Sequence, residues 1–81
     1  MTQPSVLRLL RERVGETVTS MAAKLDIGIS RYWMIESGTR PATPELADKI
    51  AKIVGTETAV LFLPQSFTVR EHATKEVSAN G

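Results

Sequence analysis

Few side chains in this sequence are spaced for covalent chemistry. Ser30 and Glu36 are the nearest hydroxyl and carboxylate, but they fall along one helical segment with no third group to orient them, a coincidence of spacing. The single histidine, His72, stands in a polar stretch with no cysteine or carboxylate cluster beside it, and so reads as a solvated residue instead of a ligand or catalytic base. There is no glycine-rich phosphate loop and no metal-ligand spacing, and the absence of cysteine removes disulfides and thiolate zinc sites. Neither an enzyme nor a cofactor or metal is expected. What these side chains can do is recognise. Thr17 and Thr19 open a helical pattern, where hydroxyls and unpaired backbone N–H groups together can hold a phosphate.

The elements that must position such contacts lie between Thr17 and Gly38, TVTSMAAKLDIGISRYWMIESG. Thr17 is a good N-cap, and Met21, Ala22 and Leu25 follow at the spacing of one buried helical face. Asp26, Ile27 and Gly28 are too short a break for a real loop. A second helix, roughly residues 29–36, then puts Tyr32, Ile35 and Glu36 on one face and Ile29, Ser30, Trp33, Met34 and Ser37 on the other. Two helices with so tight a corner form a helix-turn-helix, whose second member can lie in the major groove of DNA. A different helical phase would bury Trp33 and Met34, but it would turn Ile35 and Leu25 outward together.

Around this corner the chain reads Ala22-x-Lys24-Leu25-Asp26-Ile27, then Ile35-Glu36-Ser37-Gly38, Arg40, Thr43-Pro44-Glu45-Leu46, Ile50-Ala51 and Val54-Gly55. The succession resembles the Cro/C1-type (XRE-like) helix-turn-helix family of phage repressors and small bacterial regulators, and residues from about Leu7 to Phe62 can be laid on it without gaps. The resemblance implies an all-α, five-helix, lambda-repressor-like DNA-binding domain over residues 1–64, with a strand-like or disordered tail over 65–81. It also implies that Ile29, Ser30, Trp33 and Met34 face base edges, with Arg31 to the side within reach of a phosphate or purine, and that Arg40 meets a phosphate. In this family an arginine at the position of Arg11 commonly pairs with a glutamate at that of Glu36. The inward face of Glu36 supports the pair, because a desolvated carboxylate needs a partner. The chain departs from the family at Val18, where a phosphate-holding glutamine is frequent, and at Asp26, where glycine is usual. Positive φ is expected at that corner, and Asp tolerates it better than most residues.

The groove-facing set is mostly apolar, whereas base pairs are best separated by bidentate hydrogen bonds from Arg, Asn or Gln. Exposed Trp, Met and Ile on one helical face have a second reading, an anchor patch for a protein partner, as in an antitoxin-like or inhibitor module. The fold alone does not choose between them.

Composition narrows the class further. Eighty-one residues make one small domain, and two Phe, one Trp and one Tyr leave a core of Leu, Ile, Val, Ala and Met, which suits a helix bundle. Ten Lys and Arg against nine Asp and Glu give a net charge of +1. Over residues 1–62 the count is eight against seven, so no hidden basic module exists, and each phosphate contact must matter. The longest apolar run, Ala59 to Leu63, is far short of a membrane span, and no signal peptide opens the chain. The expected setting is the cytoplasm of a bacterial or phage-infected cell. The expected partners are a double-stranded DNA operator and a second copy of the chain, reading half-sites about 34 Å apart.

The remaining elements follow in order. Ser5, with Pro4 before it, starts a helix whose buried stripe is Leu7, Leu10 and Val14 and which ends at Gly15. Val6 and Leu9 lie off that stripe, either as scattered surface residues or as a subunit contact. Thr43 caps a helix with Pro44 in its first turn and Leu46, Ala47, Ile50, Ile53 and Val54 on its core face. A short fifth helix contains Val60, Leu61 and Phe62 and stops at Pro64. Ser66 to Arg70 alternates like a strand with nothing of its own to pair with, and is expected to be disordered or to add to another subunit.

Overall fold

The computed structural model describes residues 5–71, so Pro4, His72 and the rest of the polar tail lie outside the described residues. Five helices follow one another: α1 (Val6–Arg13), α2 (Val18–Leu25), α3 (Ile29–Ser37), α4 (Pro44–Val54) and α5 (Thr58–Leu61). Their boundaries have local causes. The hydroxyls of Ser5, Thr17 and Thr43 each accept a backbone N–H at the start of α1, α2 and α4, and Pro44 sits in the first turn, where its missing N–H has no role. At the α2–α3 corner Asp26 adopts φ 58°, ψ 45°, a left-handed conformation that its short polar side chain tolerates.

The core is built where the helices face one another. Leu7, Met21, Tyr32, Ile35, Ile50, Leu61 and Phe62 are fully buried, with Ala22, Ala47 and Ala51 letting backbones approach closely. Into this apolar interior the chain sends one ion pair. Arg11 Nε donates to Glu36 Oε1 at 2.6 Å and Nη2 donates to Oε2 at 3.0 Å, a bidentate fork between α1 and α3. The same Oε1 accepts the Tyr32 hydroxyl at 2.8 Å, and Arg11 Nη1 donates to the Glu16 carbonyl at 2.9 Å. No buried side-chain polar atom among the described residues lacks a partner. Donation to the Glu36 carboxylate holds the Arg11 pKa above its ordinary value, and burial first, then the Glu36 charge, pushes the Tyr32 phenol up.

Several expectations are corrected by this packing. Val14 is 44% exposed because α1 ends at Arg13, leaving Val14 as a cap residue off the helical stripe, while Leu10 is only half-buried. Val6 instead packs against the core, and its N–H donates to the Arg70 carbonyl at 2.9 Å. Phe62 is extended and follows α5 instead of belonging to it. The stretch after Pro64 finds its partner within its own chain. Phe62 and Val69 form an antiparallel bridge, Ser5 and Glu71 form another, and the Ala42 N–H donates to the Phe67 carbonyl at 2.9 Å. The turn is tight because Phe67 takes φ 55°. Val69 is thereby buried, beside Gly38. The alternation that reads as a lone strand therefore closes the open side of the helical core: alternate residues, Phe67 and Val69, turn inward.

Glu36→Ala leaves Arg11 buried and unpaired, which costs about 3–5 kcal/mol. That is a large share of the roughly 5–15 kcal/mol typical of a domain, and urea denaturation followed by circular dichroism should show it as a collapse of the midpoint. Val69→Ala removes two buried methyl equivalents, about 1.6 kcal/mol, and should lower Tm by roughly 6–13 °C; a tail that hung free of the core would leave Tm where it was.

Candidate nucleic-acid interface

The inward face of α3 is fully engaged, since Tyr32, Ile35 and Glu36 are buried. A helix so anchored must present its other side to solvent. Ile29 is 52% and Trp33 49% exposed, Ser30 and Ser37 are exposed, and Met34 is partly covered. The phase that would bury Trp33 is thus not the one adopted. Ile29 and Trp33 are one turn apart, so they form a continuous apolar ridge. Beside it, the Ser37 hydroxyl donates to the Met34 carbonyl at 3.2 Å and lies 3.0 Å from Thr39 Oγ1. The Ser30 hydroxyl makes no hydrogen bond among the described residues.

The loop that leaves α3 is tied back to it. Gly38 takes φ 87°, and both Thr39 and Arg40 donate their backbone N–H to the Met34 carbonyl, at 2.9 and 3.1 Å. Arg40 is therefore fixed at the C-terminal end of α3. Its side chain and that of Arg31 are exposed and enter no ion pair among the described residues. This matters because the near-neutral net charge hides an uneven distribution. Arg8, Arg11, Lys24 and Lys52 are each matched by a carboxylate and Arg70 donates to the Ala59 carbonyl, whereas Arg31 and Arg40 at α3, like Arg13 and Lys49 elsewhere, are not matched among the described residues.

At the start of α2 the arrangement is less open. Thr19 is exposed, but the Thr17 hydroxyl accepts the Ser20 N–H at 3.0 Å while the Ser20 hydroxyl accepts the Thr17 N–H at 2.9 Å, a capping box with serine at its third helical position. Glu16 reaches into the same turn: its carboxylate accepts the Ser20 hydroxyl at 2.6 Å and pairs with Lys24. Val18 is half-buried against the core. The Glu16–Ser20–Lys24 group is not among the sequence expectations, because Glu16 precedes the Thr17 cap and only its reach back over the first turns of α2 brings it to Ser20 and Lys24. Its consequence is electrostatic, for a carboxylate already occupies the end of the helix dipole that would attract a phosphate.

The Lys24 and Ser20 contacts hold the Glu16 carboxyl below its ordinary value of 4.5. Because the folded pKa is the lower one, the pair stabilises the fold fully above about pH 4.5 and loses that contribution as pH falls through the folded value. The Tm difference between wild type and Glu16→Gln should accordingly be constant from pH 7 to 5 and shrink toward pH 3. A difference independent of pH would mean that the carboxylate is not held by these partners.

Among the described residues no helix is long and apolar enough to cross a membrane, and no group of acidic, histidine or cysteine side chains could hold a metal ion. No curated protein and no solved structure gives a significant match to the chain. A family model described as a helix-turn-helix domain matches residues 5–61, a span that begins at the cap of α1 and ends with α5. The match takes in the same corner, anchored helix and following loop that carry the Cro/C1-type resemblance, and the chain belongs to the helix-turn-helix domain family of DNA-binding regulators.

Proposed function

We propose that this protein is a sequence-specific transcriptional repressor of phage or mobile-element type, acting in the cytoplasm by occupying operator DNA and blocking polymerase. One observation carries it: α3 is locked by its inner face while Ile29, Ser30 and Trp33 on its outer face are exposed and the side chains of Arg31 and Arg40 enter no ion pair or hydrogen bond among the described residues. Laid in the major groove, α3 presents Ile29, Ser30, Trp33 and Met34 to base edges. Arg31 and Arg40 then meet phosphates, with Thr19 and the Thr17 hydroxyl proton as further donors at the start of α2. On this reading the protein binds as a homodimer, since one copy carries few uncommitted cations and two copies on a palindromic site double them.

A second reading is favoured by the same exposed Ile29 and Trp33, which would serve equally as an anchor for a protein partner. The two differ in what electrostatics contributes. Fluorescence anisotropy with duplex from upstream of the protein's own gene, at near-physiological salt, should show binding on the order of a thousandfold tighter than to a scrambled duplex. Arg40→Ala should weaken binding to both duplexes similarly and lower the salt slope by about one. Equal, weak binding to both duplexes, with a pull-down of protein that Trp33→Ala abolishes, would instead establish the second reading.

A further inference from the structure

Apart from Arg31 at its side, which the reading above assigns to a phosphate, the outward face of α3 lacks the groups that usually distinguish base pairs. No Arg, Lys, Asn or Gln stands at Ile29, Ser30, Trp33, Met34 or Ser37, and the Ser37 hydroxyl is engaged with the Met34 carbonyl and Thr39. The face thus offers one free hydroxyl, that of Ser30, beside a hydrocarbon and indole ridge that is about half exposed. Its geometry is nonetheless well defined, because the Arg11–Glu36 fork and the buried Tyr32 and Ile35 prevent α3 from rolling. A rigid apolar ridge gains favourable contact only from apolar features of its ligand.

The major groove contains one such feature, the C5 methyl group of thymine, which a 5-methylcytosine presents at the equivalent place. We propose that α3 reads duplex DNA through the C5 methyl groups of pyrimidines, with Ile29 and Trp33 as the methyl-contacting side chains, Met34 filling the space beside them and Ser30 supplying the one polar contact. This inference rests on the DNA-binding reading above and names the chemistry of its ligand. Discrimination has a repulsive half as well. Where the ridge covers the O6 and N7 of a guanine, those acceptors lose water and gain no donor, so guanine is disfavoured at the same steps that favour thymine.

Replacing thymidine by deoxyuridine removes the methyl and leaves every hydrogen-bonding group in place, which makes it the direct test. A random duplex pool is selected on the full chain, and the tightest duplex is resynthesised with deoxyuridine at single positions. Each substitution beneath Ile29 or Trp33 should weaken binding about fourfold, the equivalent of the roughly 0.8 kcal/mol of one buried CH2, while substitutions outside the footprint should change nothing. An unmethylated cytosine at a contacted step should gain a similar factor on 5-methylation. Trp33→Ala, which alters an exposed side chain, should erase the deoxyuridine penalty at its own step, whereas Arg40→Ala should weaken thymidine and deoxyuridine duplexes by the same factor. A selected duplex that binds tightly and is indifferent to deoxyuridine would overturn methyl reading while leaving DNA recognition intact. Failure to select any duplex would overturn both.

Discussion

The buried pairing of Arg11 with Glu36 is the constraint on which the rest of the domain turns. A carboxylate only 2% exposed is tolerable because two guanidinium N–H groups and the Tyr32 hydroxyl satisfy it, and because the remaining guanidinium nitrogen reaches the Glu16 carbonyl. Hydrocarbon side chains in the same volume would pack α1 on α3 without specifying how far α3 is rotated. A planar fork does specify it. Once Glu36 points inward, Tyr32 and Ile35 must follow by helical spacing, and Ile29 and Trp33 must face water. The ion pair and the exposed ridge are two sides of one geometric choice.

The balance of charge obeys the same economy. A chain with net charge +1 cannot attract nucleic acid by a general field, and local arrangement has to do the work. Intrahelical partners take up Arg8 and Lys52, the α2 start takes up Lys24, and the core takes up Arg11. Of the exposed cations that enter no ion pair among the described residues, Arg13 and Lys49 lie on α1 and α4, while Arg31 and Arg40 stand at α3 beside the exposed Ile29 and Trp33. Glu16 sharpens the contrast, since it makes the beginning of α2 a weaker anion site than its bare backbone would be.

Much of this was legible from residues alone, and the reasons differ by element. Ser5, Thr17 and Thr43 announce helix starts because a hydroxyl there has a local partner, and the corner at Asp26 follows from steric rules that act on single residues. The outward set on α3 follows from helical period. Val14 and the closing segment were misread because both depend on where the chain goes next. A one-residue difference in the end of α1 exposes Val14, and nothing in the pattern of residues 66–70 says that the segment returns to Phe62 and Ala42. The Glu16–Ser20–Lys24 group escapes helical spacing because Glu16 precedes the cap of α2. Which of the exposed contacts meet a ligand is a property of two molecules and is not written in one.

The returning segment has a consequence for motion. It accepts the amide of Val6 at one end of the domain through Arg70 and that of Ala42, two residues beyond Arg40, through Phe67. These amides lie far apart in sequence, yet a single local opening of residues 65–71 would free both at once, as one cooperative unit of hydrogen exchange. The closure is also the longest-range pairing among the described residues, so the loop after α3 reaches its final position only when residues 67–71 have docked. The readiness of Arg40 is in this way timed by the far end of the domain.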